Sequence, residues 1–168
     1  MTMGRAGQVQ VETAINAEPT AVYELVADLP RMGEWSPECR EIRWKGGANS
    51  TAVGARFRGH NRNGLHRWIT RGVIVAAEPG QQLAWEVSFL GLPMSRWSYE
   101  FTATDRGCLV AERWEDRQIA LTRPWIVGWL VTGVRRRPGR NEQTMRQTLQ
   151  QLKSAVEPTR RQGTGRRT

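Results

Sequence analysis

Among the side chains able to move protons, strand alternation turns Glu112 inward. It shares parity with Val110 and Trp114, whereas Arg56 falls opposite Phe57 and Glu86 opposite Trp85, on faces expected to meet solvent. A carboxyl among apolar groups is penalised when charged, so its pKa rises toward the range useful for proton transfer. Glu112 is the catalytic candidate, set against the plainer reading of a rim or salt-bridged glutamate. His60 and His66 flank a hairpin turn with no carboxylate cluster nearby and read as surface imidazoles. Cys39 and Cys108 form no Cys-x-x-Cys pair, so neither a disulfide framework nor a thiolate zinc site is expected. The glycine-rich phosphate and dinucleotide loops are absent, as are His-Glu-x-x-His and Gly-x-Ser-x-Gly. The expectation is no metal and no cofactor.

These residues sit in a chain of 168, 39% hydrophobic and 24% charged, which suits one domain with a true core. Gln8 to Ile15 alternates and reads as a strand. Pro19 opens a short helix in which Val22, Leu25 and Val26 form the apolar side, and Met32 to Trp35 adds a further turn. Turn signals then recur at strand spacing. Strands are predicted at Glu41–Lys45, Ala55–His60, Leu65–Ala76, Gln82–Phe89, Arg96–Thr104 and Cys108–Asp116. Asn61 to Gly64 and Gly91 to Pro93 are read among the connections. One face of this meander carries Trp85, Val87 and Phe89, then Trp97, Tyr99 and Phe101, then Val110 and Trp114; it needs a cover.

Met145, Leu149, Leu152 and Val156 supply that cover as one helical stripe over residues 141–156, with Asn141 expected as cap and Pro158 as stop. Residues 1–7 are read as a flexible N-terminus, 8–157 as the domain and 158–168 as a basic disordered tail. The net charge of +9 is uneven: residues 135–168 carry +8 and residues 1–134 carry +1. Charge so placed disfavours nucleic acid as a partner. No stretch resembles a secretory signal or reaches spanning length, so the cytoplasm is the expected location. The apolar stretch at 119–134, followed by Arg135 to Arg137, reads as a lid over one end of the domain. Two alternatives stay open, an anionic membrane surface and a dimer contact. Trp125 and Trp129 are its gate candidates.

The order of elements resembles the helix-grip fold of the birch-pollen-allergen, START and polyketide cyclase superfamily. The carrying segments are Ala21-Val-Tyr-Glu-Leu-Val-Ala-Asp28, Trp35-Ser-Pro37, Val53-Gly-Ala-Arg-Phe57, Trp97-Ser-Tyr-Glu-Phe101 and Thr148-Leu-Gln-Gln-Leu-Lys153. In detail the chain is similar to the polyketide cyclase/dehydrase and lipid transport (SRPBCC) proteins. The resemblance implies an α+β fold in which a curved antiparallel sheet of about seven strands wraps a long C-terminal helix, with two short helices after the first strand. It also implies a cavity between sheet and helix. Trp68, Trp85, Val87, Trp97, Tyr99, Trp114 and Met145 are the candidate lining, with Trp35 and Phe57 near the mouth; the competing reading is that these rings simply fill the core. Arg56, Glu86, Glu112 and Arg113 correspond by position to polar pocket residues of cyclases. The implied function is binding or transport of a hydrophobic small molecule (a lipid, fatty acid or polyketide) without catalysis. The alternative is a polyketide aromatase/cyclase or dehydratase. The chain is read as a monomer or homodimer.

Overall fold

The computed structural model describes residues 7–118, 130–134 and 137–157. Seven strands form one antiparallel sheet: β1 (Gln8–Ile15), β2 (Cys39–Lys45), β3 (Arg56–Asn63), β4 (His66–Glu78), β5 (Gln82–Phe89), β6 (Leu92–Thr104) and β7 (Gly107–Asp116). Their spatial order is β1-β7-β6-β5-β4-β3-β2, a meander from β2 to β7 with β1 added beyond β7. Between β1 and β2 the chain forms α1 (Pro19–Ala27) and a 3-10 segment (Leu29–Glu34). Helix α2 (Arg137–Val156) lies across the concave face and packs chiefly on β1. This is the helix-grip α+β architecture, with seven strands and two short helical segments after the first.

Pairing register explains the composition of the concave face. Trp85, Trp97 and Trp114 stand opposite one another across β5, β6 and β7. The next row holds Leu83, Tyr99, Glu112 and Val11. Phe101 opposite Val110 follows. Side chains in such rows touch across strands, so each row is a packing unit. Irregular pairing between Ile74 and Ala76 and between Val87 and Ser88 bends the sheet away from flatness. At the second of these Pro93 pairs with Ser88 and Ser95 with Val87, leaving Met94 as the extra residue.

Three boundaries of the strands and α2 differ from expectation by three residues or more. Asn61 to Asn63 continue β3, and Leu92 and Pro93 belong to β6, because the β5–β6 connection is only Leu90-Gly91. Proline is tolerated there because the ladder is already irregular. Helix α2 begins at Arg137, not after a cap at Asn141, since Pro138 sits in the first turn, where its missing N–H costs nothing. Asn141 is instead an interior helical residue, 3% exposed. Pro158, Trp125 and Trp129 lie outside the described residues.

Candidate functional site

The sheet curves away from the first half of α2 and leaves a cavity of about 630 Å³. On the sheet side Trp85, Val87, Trp97, Tyr99 and Trp114 line it, with Phe57 and Trp68 from β3 and β4. The rings form a run. Phe57 meets Trp85 edge-on at 6.4 Å between centroids, Trp85 stacks on Tyr99 at 5.6 Å, and Tyr99 stacks on Phe101 at 6.4 Å. Glycine at position 72 makes room for this wall, because a Cβ there would collide with the Phe57 ring directly opposite.

Helix α2 contributes Met145, as expected, together with Asn141, Thr144 and Thr148, which the apolar-stripe argument passes over. All three polar residues are buried. Each threonine hydroxyl donates to a helix carbonyl, Thr144 to Asn141 O and Thr148 to Thr144 O, both at 3.0 Å. Their polarity is thus satisfied within the helix, and their methyl groups can face the cavity. Their spacings of three and four along the Met145–Leu149 stripe were the available signal.

Trp35 departs from its expected place at the mouth. Ser36 N–H donates to Met32 O at 2.8 Å, so Met32 and Ser36 share the cavity side and Trp35 is rotated into the core. It is 4% exposed there, with its indole N–H unpartnered and the Arg31 guanidinium 5.3 Å above its ring.

Glu112 lies in the wall, 2% exposed. Tyr99, its direct partner across β6 and β7, donates its hydroxyl to Oε1 at 2.7 Å. Oε2 is buried and has no hydrogen-bond partner. Burial pushes the carboxyl up to about 8, against the smaller opposing effect of the Tyr99 hydrogen bond. Tyr99 is itself pushed well above its usual range by burial and by Glu112. Cys39, also lining the cavity, is raised to about 12 by burial. Near neutral pH the site therefore holds three protonated weak acids. Arg56 and Glu86 are exposed, and Arg113 donates to Gln10 Oε1 at 2.7 and 2.9 Å, away from the cavity.

A polar clasp borders the site where α2 begins. Glu38 accepts from Arg137 at 2.9 Å and Arg140 at 3.0 Å, and the Arg137 guanidinium lies 5.4 Å from the Trp68 ring centroid. Asn63 donates to Thr132 O at 2.9 Å. Of the described part of the expected lid, residues 130–134, Val131, Thr132 and Val134 line the cavity beside it and Leu130 is exposed. His66 lies beside Gly133, and among the described residues no three of His, Cys, Asp and Glu group as metal ligands. Among the same residues no helix is long and apolar enough to cross a membrane.

An antiparallel sheet gripping one long helix around an apolar, aromatic-walled cavity defines the helix-grip class. Residues 6–157 match the family described as polyketide cyclase / dehydrase and lipid transport, and the chain belongs to that family. Solved structures agree on the fold. A protein from Chromobacterium violaceum is 15% identical with a TM-score of 0.67, over 90% of this chain and 99% of that one. A polyketide-cyclase-like protein from Corynebacterium glutamicum is 24% identical with a TM-score of 0.55, over 90% and 89%. The di-domain ARO/CYC StfQ from the steffimycin biosynthetic pathway is 15% identical with a TM-score of 0.69, over 89% of this chain and 50% of its own length. No curated protein matches the chain in sequence.

Proposed function

We propose that the chain binds a hydrophobic small molecule, lipid or polyketide-like, in the cavity between sheet and α2 and acts as its carrier. The observation that carries this reading is the cavity itself: about 630 Å³, walled by stacked aromatic rings and by helix threonines whose hydroxyls are already bonded. Such a space can bury most of a drug-sized apolar molecule against aromatic walls, with polar groups placed to orient it. Membership of a family that includes polyketide cyclases and lipid transporters supports a hydrophobic-ligand or cyclase role. Native mass spectrometry of the purified protein is expected to reveal a co-purified apolar ligand. A protein that carries nothing, and accepts nothing from a panel of lipids and polycyclic aromatics, would overturn the reading.

Glu112 favours a second reading, an aromatase/cyclase or dehydratase. A buried acid near 8 can protonate an enol or a departing hydroxyl, and in its ionised form can accept a proton. Turnover of a poly-β-ketone substrate is expected to fall at least a hundredfold in Glu112→Gln, on the usual scale of general acid–base catalysis of about 10²–10⁴. Unchanged turnover would remove Glu112 from the chemistry.

As a carrier the chain would exchange its ligand at an anionic bilayer, with Arg135 and Arg136 of the basic run meeting headgroups while Arg137 stays in its pair with Glu38. Co-sedimentation with vesicles should then require anionic lipid, and loss in the double change Trp125→Ala and Trp129→Ala would support docking through the apolar stretch.

A further inference from the structure

The pairing of Glu112 with Tyr99 says more about the ligand than the size of the cavity does. Oε1 takes the Tyr99 proton at 2.7 Å, and Oε2, buried in the cavity wall, has no partner. In the uncharged acid the proton therefore belongs on Oε2, where it is a donor without an acceptor. A buried donor left unmade costs more than a typical made bond contributes, so a ligand that supplies an acceptor removes that cost. The immediate surroundings are mostly apolar: Thr144 and Thr148 give their protons to helix carbonyls, and the adjacent rows are Trp85, Trp97 and Trp114 on one side and Phe101 and Val110 on the other.

We propose that Glu112, positioned by Tyr99, is the specificity-determining residue of the cavity and donates its Oε2 proton to an acceptor oxygen on an uncharged ring-bearing ligand. A ketone, quinone or ester oxygen fits; a pure hydrocarbon leaves the donor unpaired, and the flat rings of the wall favour a flat partner for stacking. The inference rests on the cavity being a ligand site, and it holds whether or not the bound molecule is turned over.

The titratable groups around Glu112 are few. Tyr99 faces it from β6, and Cys39 shares the cavity from β2; both are raised and stay protonated well past neutral pH. From β1 its direct neighbour is Val11, and α2 presents Asn141, Thr144 and Thr148, none of which titrates. Glu38, Asp116 and Arg137 line the same cavity at less buried positions. Glu112 is thus the group whose charge changes near pH 8.

The test uses two probes of one shape, fluorene and 9-fluorenone, which differ by a ketone oxygen. Their affinities are measured with the wild-type chain, Glu112→Gln and Glu112→Leu, below and above pH 8 by more than one unit. The readout is the affinity ratio of fluorenone to fluorene. It should fall about tenfold from wild type to Glu112→Leu, one unsatisfied hydrogen bond's worth, and be retained in Glu112→Gln, whose amide still donates. In wild type the same ratio should fall as pH rises past 8, and in Glu112→Gln it should stay flat. A ratio identical in all three proteins and flat with pH would overturn the role of Glu112 while leaving the cavity reading intact. Binding of neither probe by the wild-type chain would overturn the cavity reading and this inference with it. Fluorene binding by the variants reports that they are folded, and the pH arm needs no variant at all.

Discussion

Glu112 couples the chemistry of the cavity to the stability of the fold. Its ordinary value is 4.5 and burial raises it to about 8, so between those values the native chain holds one proton more than the unfolded chain. Stability then falls as pH rises, by about 1.4 kcal/mol per unit for one proton; the contribution is complete below 4.5 and lost by about 8. Glu112→Gln cannot release that proton. Its stability relative to wild type should therefore be flat below about pH 4.5 and rise from there to about pH 8 in urea denaturation; parallel curves would place the carboxyl in contact with water. Tyr99→Phe removes the one hydrogen bond that lowers the Glu112 value. The carboxyl should titrate still higher in that variant, read from its carbon-13 shift.

At the scale of elements, the β5–β6 hairpin carries a visible strain. Leu90 has φ 52° and Gly91 φ 83°, the two left-handed positions of a tight hairpin connection. Glycine adopts this freely, but a leucine pays about 1–2 kcal/mol for it. Leu90 is 83% exposed, so packing returns little of that cost, yet it lines the cavity. Leu90→Asn should raise stability by about 1 kcal/mol, since asparagine tolerates this conformation. A loss of stability would mean that the side chain packs at the cavity edge more than its exposure indicates. The start of α2 is held by Glu38, which is 14% exposed in its side chain and accepts from two arginines. Glu38→Ala should speed amide exchange in the first turns after Arg137 and leave the turns around Leu149 and Leu152, both fully buried, as protected as before. Uniformly faster exchange would show the clasp stabilising the whole fold.

For the molecule as a whole, the cavity sits where α2 passes from polar to apolar contacts. Its second half, at Leu149 and Leu152, belongs to the closed core with Ile15, Val22 and Val26. Nearer its start, Asn141, Thr144, Met145 and Thr148 line the cavity. Filling that space adds contacts that the unfolded chain cannot make. A ligand at a hundred times its dissociation constant should add about 2.7 kcal/mol and raise Tm by about 5–10 °C. An unchanged Tm at saturating ligand would mean binding outside the domain or equally to the unfolded chain.

Period-two alternation and turn residues were enough to read both ends of β1 and β5 and the other strands to within a few residues, because a one-sided sheet imprints its pleat on the sequence. Parity alone also turned Glu112 inward. Three things needed the tertiary structure. Thr144 and Thr148 look like solvent-facing residues until the helix carbonyls that satisfy their hydroxyls are seen, and Asn141 looks like a cap until the helix is found to begin four residues earlier. Trp35 looks like a mouth residue until the bond from Ser36 to Met32 sets its rotation. The partner of Glu112 is fixed by the register of β6 against β7, thirteen residues apart in the chain. A strand's alternation specifies which way a side chain points but not which neighbour it meets. That neighbour decides whether a buried carboxyl is paired, ionised or left with a proton to donate.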